Sequence, residues 1–164
     1  MNISKKLPAP LEYYSHVHKR YKEIIELLSC DKFKSFNGIA LDIDETILSD
    51  LSELPNEFID FYNARNHPNL KFFRPKIPFS DWFVDSLINL DFKIYFVTAR
   101  SEIHKERTIE DIKSFKYTKL FLKKEGSHVP TYKKYIRTKY NLIGIGDQLF
   151  DVDNTEFLIK NFYY

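Results

Sequence analysis

The sequence predicts an α/β protein built on a doubly wound parallel sheet. Five apolar runs of strand length alternate along the chain with segments of helical periodicity. Such alternation is typical of parallel sheets whose strands are joined by helices. Carboxylates and hydroxyls directly follow several of the runs. Because functional groups in these sheets gather beyond the carboxyl ends of the strands, the same pattern predicts where a site lies.

The predicted elements begin with an amphipathic helix over residues 11–28, where apolar side chains recur at helical spacing. The apolar runs predict strands at 38–43, 93–97, 118–122, 141–146 and 156–160. Helical patterns lie between them at 80–90, 102–115 and 131–139. Residues 52–79 combine four prolines with several phenylalanines, which predicts a helix and a long loop. Long loops in compact domains are often functional, so this segment is a candidate small cap or substrate loop.

Length and composition favour one globular domain spanning residues 1–164, because 43% of the residues are hydrophobic. The formal charge of +2 gives no strong electrostatic case for nucleic acid. One cysteine, Cys30, excludes an internal disulfide framework and fits a reducing compartment. The chain shows neither the apolar core of a signal peptide nor the ~18 apolar residues of a membrane span. We therefore expect a cytoplasmic protein without a membrane segment, of open oligomeric state.

Acidic residues mark the end of the first predicted strand, where the chain reads Asp42-Ile-Asp44-Glu45-Thr46. Strand alternation would place Asp42 and Asp44 on the same side of the sheet. At ~4 Å and an effective dielectric constant of 20, their mutual repulsion would be ~4 kcal/mol. A hard cation with a preference for oxygen ligands, such as Mg²⁺, would offset that repulsion.

Candidate phosphate-binding groups follow at the end of the second predicted strand and on a later predicted helix. Thr98 and Ala99 come after the second strand, where a hydroxyl and exposed backbone N–H groups can hold a phosphate oxygen. The helix over 131–139 offers Lys133 and Lys134, either of which can neutralise phosphate charge. Each of these signals is weak when it is taken alone.

The fourth predicted strand ends in Gly146-Asp147, and Asp151 follows four residues later. Glycine allows the backbone to pass close to a ligand, and Asp147 again places a carboxylate at a strand end. An EF-hand calcium loop is a poor alternative, because its alternating oxygen ligands and terminal glutamate are absent.

In this order the residues resemble the four motifs of the haloacid dehalogenase superfamily. The matching motifs are Asp42-x-Asp44-x-Thr46, Thr98, Lys133 and Gly146-Asp147-x-x-x-Asp151. Segments 42–49, 107–108, 133–137 and 146–148 are further similar to the class III acid phosphatase branch, which includes plant acid phosphatases and vegetative storage proteins. The resemblance covers roughly residues 36–164. It implies a Rossmann-like fold with a small or minimal cap, and a Mg²⁺-dependent phosphomonoesterase.

The resemblance also implies a role for each site residue. Asp42 would attack phosphorus to form an aspartyl-phosphate, and Asp44 would protonate the leaving oxygen and then activate water. Mg²⁺ would be held by the carboxylate of Asp42, the backbone carbonyl of Asp44, and Asp147. The other implied roles are phosphate binding by Thr98, Ala99 and Lys133, and support by Thr46 and Asp151.

Three alternatives remain beside hydrolysis of a small phosphate ester such as a nucleotide. A phosphatase acting on nucleic-acid ends would need a basic groove leading to the site and would show steep salt dependence. A catalytically inactive storage or binding relative is disfavoured because Asp42 is retained. A receiver module that accepts phosphate on aspartate is disfavoured because Asp147 and Asp151 follow the lysine.

Overall fold

The computed structural model describes residues 10–49, 74 and 76–159. Its helices and strands, in chain order, are α1 (Pro10–Leu28), β1 (Gly38–Leu41), α2 (Ser80–Asn89), β2 (Lys93–Ser101), α3 (Lys105–Ile112), β3 (Lys119–Lys123), α4 (Val129–Tyr140) and β4 (Leu142–Ile145). Short 3-10 helices lie at Asp31–Phe33, Glu102–His104, Leu149–Asp151 and Thr155–Phe157. The predicted alternation of strands and helices is therefore confirmed.

The four strands form one parallel sheet in the order β3-β2-β1-β4. Leu41, the last residue of β1, pairs with Phe96 of β2 and with Ile145 of β4. Because the strands are parallel and in register, the residues that follow these three positions meet at one edge of the sheet. The acidic and hydroxyl residues that the sequence analysis singled out lie at this edge.

Apolar side chains pack on both faces of the sheet, which is why β1 and β4 are buried throughout. Ile39 and Leu41 point toward a large core cluster that includes side chains of α1 and α2. Ala40, between them in sequence, points to the opposite face, where Val97 and Ile136 of α4 form a smaller cluster. This alternation follows from the two-residue period of a strand.

Several observed elements differ from the predicted ones: β2 continues to Ser101, the predicted helix over 102–115 is a 3-10 helix followed by α3, and two strands differ as follows. Strand β1 ends at Leu41, so Asp42 and Ile43 lie beyond it, although the pattern predicted a strand over 38–43. The predicted strand over 156–160 is wrong for residues 156–159: a 3-10 helix, Thr155–Phe157, capped by the side chain of Asn154, occupies its first part, and Leu158 and Ile159 follow without forming a strand. One β-bridge between Leu158 and Gly146 is all the pairing that this described segment makes.

Most of the candidate cap, residues 52–73 and 75, lies outside the described residues. The described end of the segment is tied to the loop after β1, since the N–H of Ile77 donates to the carbonyl of Ile47 at 2.8 Å. Across the described ranges, no helix has the length and apolar character that a membrane crossing demands.

Candidate active site

The loop after β1 carries the first two candidate residues and is held by local hydrogen bonds. The N–H of Asp42 donates to the carbonyl of Ile145 at 3.0 Å, which continues the pairing of β1 with β4 for one residue. Thr46 is buried, and its hydroxyl lies 3.3 Å from Oδ2 of Asp42 as a hydrogen-bond donor. The hydroxyl of Tyr21 on α1 donates to the carbonyl of Thr46. Thr46 therefore links the Asp42 carboxylate to the core.

Lys133 contacts the carboxylate of Asp42 from helix α4. Its ammonium donates to Oδ1 of Asp42 at 3.0 Å and to Oδ1 of Asp151 at 2.6 Å. Burial acts to lower the pKa of Lys133, but the charges of Asp42 and Asp151 outweigh it and hold that pKa above its usual value. Lys133 is therefore a buried, fully charged ammonium. Lys134, the other candidate, is exposed.

Three buried carboxylates converge beside this ammonium. One oxygen from each of Asp42, Asp147 and Asp151 lies within 4.8 Å of the others. Burial raises the pKa of Asp147, and the nearby charges of Asp42 and Glu45 raise it further. The shift therefore reflects burial first and the surrounding negative charge second. A group of buried, like-charged oxygen ligands fits a hard divalent cation.

Asp151 differs from the other two because both of its carboxylate oxygens already accept hydrogen bonds. Oδ1 accepts from Lys133, and Oδ2 accepts from the backbone N–H of Gln148 at 3.1 Å. Gly146 makes this position possible, since a Cβ there would lie 2.4 Å from Oδ2 of Asp151. The glycine before Asp147 thus makes room for Asp151, whereas the sequence had suggested room for a ligand.

Asp44 is held by two arginines on another side of the site. Arg100 donates to both oxygens of Asp44, at 2.8 and 2.9 Å, and Arg74 donates to Oδ1 at 2.7 Å. Burial acts to raise the pKa of Asp44, but the two guanidinium groups lower it to about 2. Asp44 is therefore ionised in this structure.

This arrangement revises the expected repulsion between Asp42 and Asp44. The expectation depended on strand alternation through residue 44, but β1 ends at Leu41 and a turn follows. Asp42 pairs with Lys133, and Asp44 pairs with arginines. The positive charge that offsets Asp44 is thus a guanidinium, which the sequence analysis did not assign.

Arg100 also connects the site to helix α3. Its Nη1 donates to Oδ2 of Asp111 at 2.8 Å and to the hydroxyl of Thr108 at 3.2 Å. Arg107 lies 3.1 Å from the other oxygen of Asp111. Sequence reasoning missed this network, although Arg100 directly follows Thr98 and Ala99. The available signal was a basic residue at a strand end opposite a cluster of acids.

Thr98 and Ala99 lie at the same edge of the sheet. Phe96 pairs with Leu41, so Thr98 stands two residues beyond that pair, level with the loop that carries Asp42. Thr98 is buried and its hydroxyl oxygen accepts the N–H of Arg100 at 3.0 Å, whereas Ala99 is exposed. The register between β2 and β3 shifts between Val97 and Ser101, which places both residues in an irregular stretch of β2.

Comparison with known protein families identifies the chain. Residues 11–164 match the family described as the HAD superfamily, subfamily IIIB (acid phosphatase). The chain belongs to this family. The resemblance to haloacid dehalogenase phosphatases, and to an acid phosphatase branch of them, is thereby confirmed. Among curated proteins, none matches the sequence significantly.

Solved structures of similar fold come from class C acid phosphatases. One structure of the Bacillus anthracis enzyme superposes with a TM-score of 0.63 at 17% identity, over 87% of this chain and 66% of that chain. A second, with tungstate bound, has a TM-score of 0.61 at 19% identity over the same shares. The present chain thus spans just under two thirds of these neighbours. At such identities the likeness concerns the fold, and it confirms the doubly wound parallel sheet.

Proposed function

We propose that this HAD family member is a Mg²⁺-dependent phosphomonoesterase that forms an aspartyl-phosphate on Asp42. The observation that carries the proposal is the buried contact of 3.0 Å between Asp42 and Lys133, with Asp147 beside them at the carboxyl edge of the sheet. A nucleophilic carboxylate beside a fixed positive charge suits attack on a phosphate dianion, where positioning and electrostatics supply nearly all of the catalysis. The substrate class is a small phosphate ester, with a nucleotide as one candidate.

The residues present fit a divalent cation. Asp42 and Asp147 would hold it through carboxylate oxygens and Asp44 through its backbone carbonyl, whereas both oxygens of Asp151 already accept hydrogen bonds. When bound, Mg²⁺ offsets the repulsion between a carboxylate nucleophile and the phosphate and polarises a phosphoryl oxygen. The acidic cluster supports this proposal, because three buried carboxylates converge there, and the charges of Asp42 and Glu45 add to the burial that raises the pKa of Asp147.

In the proposed reaction Asp42 is the nucleophile and Asp44 transfers protons. Attack by an Asp42 oxygen forms a new P–O bond while the ester P–O bond breaks, and the leaving oxygen takes a proton. Water then hydrolyses the aspartyl-phosphate, giving inorganic phosphate and free Asp42. Asp44 is ionised in the structure, which is the form that accepts a proton from this water. To protonate the leaving oxygen in the first step, Asp44 must first take up a proton itself.

Phosphate binding falls to groups beside Asp42. The hydroxyl oxygen of Thr98 already accepts the N–H of Arg100, so its hydrogen is free to donate to a phosphoryl oxygen. The exposed Ala99, in the irregular part of β2, would add its backbone N–H. Lys133 would contribute positive charge. Tungstate, bound by one Bacillus anthracis class C acid phosphatase, is a tetrahedral oxyanion like phosphate, which supports an oxyanion site here.

The test is hydrolysis of an aryl phosphate, with and without Mg²⁺, by the wild type, Asp42→Asn and a control, Asp85→Asn. Asp85 is an exposed aspartate on α2, so its substitution removes the same charge outside the site. Because enzymes accelerate monoester hydrolysis by up to ~10²¹-fold, removal of the nucleophile should abolish turnover while Asp85→Asn retains it. Equal turnover by Asp42→Asn and wild type would remove the proposed nucleophile. A wild type that binds phosphate esters without turnover would instead indicate an inactive relative.

The cytoplasmic location of the protein remains a prediction.

A further inference from the structure

A groove with a volume of about 730 Å³ lies between helix α4 and strand β3, which we call the α4–β3 groove. It exists because α4 is the one described helix that packs in the smaller core cluster, while β3 forms the edge of the sheet. The outer part of this face therefore has no described helix over it. A volume of this size is within the range of ligand-binding clefts.

The charged residues of the α4–β3 groove are mostly lysines. Lys105, Lys119, Lys124 and Lys139 line it, and Glu102 is the single acid among the described lining residues. All five are exposed. The whole chain carries a formal charge of only +2, so this groove concentrates positive charge that the total conceals. A cleft of one sign attracts a polyanion and raises its rate of association.

Aromatic rings line the same groove as these lysines. Phe121 and Tyr140 lie with ring centroids 5.3 Å apart, and the ammonium of Lys119 lies 4.9 Å from the centroid of Phe121. Tyr135 is 61% exposed in the groove lining, and the buried hydroxyl of Tyr132 has no hydrogen-bond partner among the described residues. Aromatic rings beside a basic groove are the combination that binds single-stranded nucleic acid, because bases stack on the rings while lysines contact phosphates.

The groove and the proposed active site share the N-terminal part of α4. Tyr132 lines the groove, and the next residue on α4 is Lys133, whose ammonium contacts Asp42. From there the groove follows α4 toward Lys139 and Tyr140. The 12 residues of this helix span about 18 Å, so several nucleotides fit along it.

We propose that the α4–β3 groove binds single-stranded nucleic acid whose terminal phosphate enters the site at Asp42. This inference rests on the proposed phosphatase function and specifies its substrate class as phosphorylated nucleic-acid ends. In the reaction the terminal P–O ester bond breaks, and water supplies oxygen to the phosphate and hydrogen to the end. The products are inorganic phosphate and a nucleic-acid hydroxyl end. An acidic peptide would match the charge but offers no bases for the aromatic rings.

The test compares a short oligothymidylate carrying a 5′- or 3′-phosphate with an aryl phosphate that is too small to reach the groove. Lys119→Glu/Lys139→Glu reverses two groove charges, and Lys19→Glu/Lys22→Glu makes the same change on exposed lysines of α1 as the matched control. Tyr135→Ala removes an exposed ring. Turnover gives kcat/KM for both substrates, and circular dichroism verifies folding of every variant.

We expect Tyr135→Ala to lower the ratio of oligonucleotide to aryl-phosphate kcat/KM by ~5-fold or more, since stacking of one base alone contributes that much. The groove double variant should lower this ratio by ~5-fold or more as well, because its lysines contact phosphates. In the Asp42→Asn background, fluorescence anisotropy measures oligonucleotide affinity against salt. Reversing two lysines should reduce the slope of log affinity against log salt by about 1.4. The α1 variant should keep the wild-type ratio and slope.

The outcomes separate this inference from the proposed function. An unchanged ratio and slope in the groove variants, with normal aryl-phosphate turnover, would overturn the groove and leave the phosphatase. Absence of turnover on both substrates would overturn the proposed phosphatase function. Fluorescence anisotropy of an unphosphorylated oligonucleotide would still show whether the groove binds nucleic acid. Lysine-dependent binding of polyglutamate in place of oligonucleotide, or a dimer in sedimentation that the groove variant dissociates, would assign the groove to another occupant.

Discussion

Replacing Lys133 by methionine should destabilise the protein by about 3–5 kcal/mol, the usual cost of removing one partner from a buried ion pair. The side chain of Lys133 is 4% exposed and its ammonium contacts two carboxylates, at 2.6 and 3.0 Å. Methionine keeps the apolar stem but leaves those charges without a counter-ion. Because the folded-state pKa of Lys133 lies above its usual value, its stabilising contribution is complete at pH 7 and is lost only as the pH rises through that folded-state pKa.

The assay is urea unfolding followed by circular dichroism in EDTA at pH 7, with Lys134→Met as the control. Lys134 is exposed on the same helix, so its substitution should change the free energy of unfolding by no more than about 0.5 kcal/mol. For a domain of this size, Lys133→Met should lower Tm by roughly 6–20 °C relative to that control. Equal unfolding midpoints for the two variants would refute the view that Lys133 is a buried counter-ion.

Three other changes test the rest of the site. Gly146→Ala should lower both Tm and aryl-phosphate turnover, because its Cβ would lie 2.4 Å from the carboxylate of Asp151; wild-type values would contradict that geometry. Mg²⁺ should raise Tm more at pH 7 than at pH 4.5 in thermal scans, since protons held by the raised pKa of Asp147 compete with the cation; an equal rise would argue against this ligand. Arg100→Met should raise the pKa of Asp44 from about 2 toward its unfolded value of 3.8, so this group should stabilise the fold less at pH 7 and urea titrations should show a shallower loss of stability on the acid side; an unchanged acid limb would contradict the pairing.

The convergence of the site could be predicted because it depends on topology. Asp42, Thr98 and Asp147 each follow an apolar run, and parallel strands bring such positions to one edge whatever the details of packing. The helix over 131–139 was likewise readable from its period. The motif favoured Lys133 over Lys134, and the structure agrees, but packing decides this choice because a shift of one residue on a helix turns a side chain by about 100°.

The partners of Asp44 could not be read from the sequence. Arg74 lies 30 residues and Arg100 lies 56 residues from Asp44, and no local pattern encodes such an ion pair. The predicted strand over 156–160 failed for a related reason. Its central residues, 157–159, are apolar, but Asn154 caps a 3-10 helix and, among the described residues, the one backbone hydrogen bond of Ile159 is to Gly146. A segment that is buried at the end of a sheet has the same apolar composition as a strand that pairs within the sheet.

The site divides into two halves of opposite charge, and this division supports the proposed place of the cation. The arginine half sets three guanidinium groups against two carboxylates: Arg74, Arg100, Arg107, Asp44 and Asp111. The lysine half sets one ammonium, that of Lys133, against the carboxylates of Asp42, Asp147 and Asp151, and the charge of Glu45 acts on Asp147 as well. With every group ionised, the lysine half holds more negative than positive charge, which a divalent ion would offset. In the proposed reaction a phosphate dianion approaches Asp42 through this half, so a bound divalent ion would lower the repulsion between the nucleophile and the phosphate.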